Sequence, residues 1–212
     1  MKKVVGFLII ILIIIFGFWY ARKNNKAPAE TTTLTYRNSN LGINFTYPKT
    51  LSASSTSAGV TIHHEVPFEH HDYCDFKGEA TTTIPTLTDF NLKMHVVNKN
   101  LVDTMRTESP YIPSENFVNG AVVPSPGFID PFDTGTYKGF AIFEGAEGCG
   151  QTIYYLKISD SKTLVATNEL ITVFSGAIDV ENMNAALAVP GVIDKTENEN
   201  YLLDILKTIS VN

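Results

Sequence analysis

Four of the five histidines in this 212-residue chain fall in one polar segment, residues 63–75, together with two glutamates, two aspartates and a cysteine. Imidazole, carboxylate and thiolate are ligand types for zinc or copper, and His64, His70, His71 and Asp72 are the set this segment offers such an ion. As a zinc hydrolase motif it fails. His64-Glu65 is followed at the required third position by Phe68, and Pro67 breaks the helix that the motif needs. His63 and His64 fall in a predicted strand and point to opposite faces of the sheet, so at most one of them joins His70 or His71. The plainer account of His70 and His71 is a solvated loop rich in Asp and Glu, and it outweighs metal binding.

Cys74 and Cys149 are the two cysteines. A nucleophilic thiol needs a base within reach and a lowered pKa, and nothing in the sequence around Cys74 resembles a nucleophile motif. Residues 145–150 lack phosphate-loop spacing and its lysine and read as a hairpin turn. A Cys74–Cys149 disulfide is favoured over catalysis, with two passively buried thiols as the alternative. The bond would contribute roughly 4 kcal/mol by closing a long loop. Acidic pairs such as Asp130 with Asp133 and Glu144 with Glu147 could do acid and base work only at the right separation; a solvated acidic face is the plainer reading. Phe128, Phe132 and Tyr137 flank a proline-rich stretch, where packing is favoured over a recognition surface.

The elements that position these groups are mainly strands. Period-two alternation or β-branched and aromatic enrichment predicts strands at 34–37, 43–47, 60–66, 90–97, 137–144, 152–158 and 163–167. Hairpin loops at 38–42 and 160–162 make the sheet mainly antiparallel. The best helix is C-terminal, with Thr196 and Glu199 at capping-box spacing ahead of Tyr201, Leu202, Ile205, Leu206 and Ile209 on one face. Two shorter helices are expected at about 100–107 and 180–188, and the stretch 110–135, with five prolines, reads as loop plus a strand.

Residues 4–20 carry no charge, and as a helix they would span roughly 25 Å. Trp19 and Tyr20 close the run with residue types that favour a membrane interface. The expected organisation is a signal-anchor transmembrane helix over 1–21, a stalk over 22–33 and one extracytoplasmic domain over 34–212, a single-pass membrane protein. Basic residues flank the run on both sides, so the charge rule leaves orientation tied, and cleavage of the run as a signal peptide is the lesser alternative. Beyond Glu30, eleven Lys and Arg face 21 Asp and Glu, so the domain carries about ten negative charges. Such a surface repels phosphate backbones, which argues against nucleic acid as a partner.

Tyr36-Arg37-Asn38, then residues 42–48 ending in Phe45-Thr46-Tyr47-Pro48, resemble the start of PsbP-like domains, where a hairpin ends in an aromatic-x-Tyr-Pro turn. Pro190-Gly191-Val192-Ile193 and residues 205–211 are similar to the closing helix and short strand of bacterial members. The resemblance implies an α/β sandwich, an antiparallel sheet with helices packed on it, in a noncatalytic accessory protein; it transfers no site residue. The sequence does not single out a function. It favours a membrane-anchored binding or accessory module with a protein or envelope partner, ahead of a zinc or copper protein using residues 63–75, and ahead of an enzyme.

Overall fold

The computed structural model describes residues 32–71, 74, 83–146, 148–174 and 180–211. Strands β1 (Thr33–Asn38), β2 (Ile43–Pro48), β3 (Ser52–Thr56), β4 (Gly59–His71) and β5 (Thr83–Val97) lead into helix α1 (Leu101–Glu108). Two short strands, β6 (Phe117–Val118) and β7 (Ala121–Val122), precede β8 (Ile129–Asp133), β9 (Lys138–Ala146), β10 (Cys149–Ser159) and β11 (Lys162–Glu169). Helices α2 (Val180–Leu187) and α3 (Lys195–Thr208) and the strand β12 (Ser210–Val211) complete the order.

Seven strands form the main sheet in the order β3-β4-β5-β11-β10-β9-β8, and every neighbouring pair is antiparallel. Consecutive strands are neighbours in β3-β4-β5 and in β8-β9-β10-β11, and the two runs join where Thr163–Asn168 of β11 pair with Leu92–Val97 of β5. Its two edges are blunted in different ways. β3 is short and reads Ser-Ala-Ser-Ser-Thr, while β8 carries Pro131.

Both faces of the main sheet are covered. Leu156 and Leu164 belong to one apolar cluster and their chain neighbours Tyr155 and Val165 to another, and consecutive strand residues point to opposite faces. On the first face lie β1-β2-β12, a three-stranded sheet, and Leu202, Ile205 and Leu206 of α3. On the second lie Met105 of α1 and the proline-rich excursion through Ile112 and Phe117. The two ends of the domain meet in space, since Ser210 pairs with Asn44 and Val211 with Ile43.

The expected α/β sandwich is corrected here. The chain is mostly antiparallel strand, and of its three described α-helices two have only eight residues, too short to make a helical layer. A second β-sheet and one 14-residue helix do that work instead. The single-pass membrane placement is corrected as well: among the described residues no helix is long and apolar enough to cross a membrane. The anchor expected at 4–20 lies outside the described residues.

Candidate functional site

β5 is longer than its alternation suggested because it bulges. His64 pairs with Phe90 and Glu65 with Thr88, so Asp89 is the extra residue and has none opposite it. The buried set accordingly changes phase, from Leu87 and Asp89 before the bulge to Phe90, Leu92 and Met94 after it. A bulge bends its strand and re-aims a side chain, and here it turns a carboxylate into the core: Asp89 is 0% exposed. Its Oδ2 accepts from the Ile193 backbone N–H at 2.7 Å, and its Oδ1 lies 2.6 Å from Nδ1 of His64. An ionised carboxylate only accepts, so Nδ1 carries the proton.

The polar chain continues through α3. Asp194 caps that helix by accepting from the Glu197 N–H at 2.9 Å, two residues earlier than the expected Thr196 and Glu199. This start places Lys195, Asn198, Glu199 and Leu202 on one stripe of the helix. Asn198, 6% exposed, donates from Nδ2 to the Asp89 carbonyl at 2.8 Å. Asn168 of β11 then donates from its own Nδ2 to Asn198 Oδ1 at 3.3 Å. The Asp89 carbonyl can only accept, which orients the Asn198 amide; Asn198 Oδ1 can only accept, which orients Asn168. The chain therefore ends in an acceptor, and Asn168 Oδ1 is buried with no hydrogen-bond partner.

Asn168 borders a hollow of about 160 Å³ between the α3 stripe and the ends of β10 and β11. Thr152, Tyr154, Lys195 and Glu199 give it polar walls, and Leu170, Ile171, Phe174 and Leu202 give it apolar ones. Burial pushes the Tyr154 phenol pKa up, with the Glu199 charge adding to it. Glu169 also borders the hollow, where it is engaged by Lys93 and by Asn91. A second hollow, of about 200 Å³, lies against the same 169–171 segment and is bordered by His70, His71, Thr86 and Thr172. A larger one of about 590 Å³ lies beside α1, where Lys157 pairs with Asp160 at 2.7 Å, Asp103 accepts from Asn100 Nδ2, and the Arg106 guanidinium lies over the Phe117 ring.

Cys74 and Cys149 are bonded as a disulfide, with Cα atoms 5.7 Å apart. Thr172 Oγ1 sits 2.8 Å from Cys74 Sγ. β9 and β10 pair antiparallel, and Gly150 of β10, at φ +143°, could not carry a Cβ without striking the Glu144 carbonyl.

The histidines are placed apart. His70 and His71 end β4 instead of lying in a loop, because the strand runs past Pro67 with a register shift. His64 and His70 are six residues apart on that strand, roughly 20 Å at its rise per residue, and His70 Nδ1 lies 3.2 Å from the Phe68 carbonyl. Asp72 lies outside the described residues. Among the described residues no three His, Cys, Asp or Glu come together to hold a metal ion. Asp130 and Asp133 serve turns. Asp130 accepts from Gly127 N–H, and Asp133 is held below the usual carboxylate range by the Gly135 N–H and then by Lys138. Glu144 accepts from Gln151, and Glu147 lies outside the described residues. Phe132 packs on Tyr154, Phe128 faces Tyr111, and the Tyr137 hydroxyl accepts from Val211 N–H.

No family model and no curated protein matches this chain. Its own geometry is what the site stands on. Asp89, Asn168 and Asn198 are not singled out by the sequence, although one signal is there: the apolar alternation breaks phase at Asp89, one residue ahead of the strand expected at 90–97, whereas β5 already begins at Thr83.

Proposed function

We propose that this chain is a noncatalytic binding module. The observation that carries this reading is the use made of the buried carboxylate–imidazole pair, Asp89 with His64. Both oxygens of Asp89 are committed to holding β4 and the segment before α3 against the sheet. Among the described residues no hydroxyl or thiol is hydrogen-bonded to His64, so the pair has no nucleophile to activate. Cys74 is tied in its disulfide and is no thiolate. The likeness of the two chain segments around β2 and β12 to PsbP-like domains points the same way, toward an accessory role. The acidic balance supports a protein or small-molecule partner over a nucleic acid.

The test is a turnover assay of the full chain on activated ester, phosphate and glycoside substrates. The expected outcome is no release above buffer. Turnover that disappears in H64Q would overturn the reading.

A further inference from the structure

We infer that the hollow bordered by Asn168 and the α3 stripe binds a small organic ammonium carried on a short apolar chain. This rests on the binding-module reading and names the ligand class for it.

The polarity of the site is dictated by the hydrogen-bond chain. Because Asp89 O, Asn198 Oδ1 and Asn168 Oδ1 follow one another with each amide's direction set by the last, the group left over is an acceptor and not a donor. Reversing the Asn168 amide would set two oxygens against each other at the Asn198 contact. A buried acceptor without a donor is destabilising, so an occupant that brings an N–H relieves it and one that brings only oxygens does not. The terminal torsion of an asparagine is soft, and a modest swing of the amide presents Oδ1 to the hollow.

The other walls select the rest of the molecule. Glu199 stands in no ion pair among the described residues, whereas Glu169 is already answered by Lys93. Three residues that line the space bring an oxygen acceptor, Asn168 once its amide swings, Glu199, and Tyr154, whose phenol oxygen also meets Thr152, and an ammonium has three donors. Leu170, Ile171, Phe174 and Leu202 suit a branched alkyl chain. The volume of about 160 Å³ compares with roughly 30 Å³ for a water in the liquid, which limits the buried part to a handful of heavy atoms. Two sources share this chemistry: a plain alkylamine, or an apolar α-amino acid whose carboxylate meets Lys195 on the rim.

The test is a titration of the full chain, followed by protein amide shifts and by the probe's own resonances, with isoamylammonium, leucine and 4-methylpentanoate. Saturable shifts at Thr152, Asn168 and Leu202 with isoamylammonium, and none with the acceptor-only 4-methylpentanoate, are expected. Leucine binding more tightly than isoamylammonium, with the advantage lost in K195Q, assigns the amino-acid source; the reverse order assigns the amine. N168A should weaken the ammonium probe about tenfold, and E199Q, an exposed position on α3, should weaken it too even if N168A folds poorly. Equal binding of 4-methylpentanoate, or no binding of either nitrogen probe, overturns the inference and leaves the orphan acceptor to water. Chemical conversion of a probe would instead overturn the noncatalytic reading.

Discussion

Replacing Asp89 by alanine should loosen the segment that leads into α3. The carboxylate accepts two bonds, from Ile193 N–H at 2.7 Å and from His64 at 2.6 Å, at a residue 0% exposed. Hydrogen bonds to charged groups contribute about 1.5–3 kcal/mol each, and relief of the buried charge offsets part of their loss. A net loss of about 3 kcal/mol is expected for D89A, a large share of a domain's usual stability. At a urea slope of about 2 kcal/mol per molar, the midpoint falls by about 1.5 M. D89N is the control: its oxygen still accepts from Ile193, and its amide donates to His64 Nδ1 once the imidazole carries its proton on Nε2. It should lose only about 1 kcal/mol. Native-state hydrogen exchange reads the local effect, because the Ile193 amide should lose its protection in D89A and keep most of it in D89N. A D89A midpoint within a few tenths molar of the parent, or a D89N as damaged as D89A, would refute this account of the bulge.

The disulfide closes a sequence separation of 75 residues, so reduction of the full chain should lower its stability by up to about 4 kcal/mol; an unchanged melting temperature in the presence of dithiothreitol would contradict this. Tyr155 is fully buried with its hydroxyl 2.7 Å from Ser109 Oγ, and burial raises its phenol pKa above the ordinary value of 10.0. Its contribution is complete below pH 10 and declines above it, where the unfolded chain ionises and the folded phenol does not. Alkaline melts should therefore show stability falling above about pH 10, less steeply in Y155F, which should also lose about 1 kcal/mol at neutral pH.

All seven strands expected from alternation are present, because each has one face whose burial imposes a period of two or a rim of β-branched residues. The two internal short helices fall within a residue of their expected ends, Asn100 capping α1 by accepting from Asp103 N–H. What did not show in the residues was structure held by neighbours. β3 has no apolar pattern of its own and exists because β4 offers it a partner; β8 contains a proline that only an edge tolerates. The mostly-β class was missed because a sheet covered on one side by a second sheet and on the other by α1 and an irregular excursion reads, residue by residue, like one covered by helices. The polar chain from His64 to Asn168 runs between residues far apart in sequence, joined by a bulge and a helix cap that composition does not reveal.

The pairing of β12 with β2 bears on the order in which the molecule can assemble. Thr46 N–H donates to Thr208 Oγ1 across 162 positions of chain, and closing a loop that long opposes the contact by roughly 4–5 kcal/mol of chain entropy. Within the main sheet β3-β4-β5 and β8-β9-β10-β11 can each grow between consecutive strands and join through the β5–β11 pairing over a shorter span of chain, whereas β2 waits for α3 and β12 to arrive. Until they do, one edge of Ile43–Pro48 is open, and its buried residues Ile43 and Phe45 lack their cover from α3. Misassembly between chains during refolding should begin at that edge, and it should be worst in variants that slow the docking of α3.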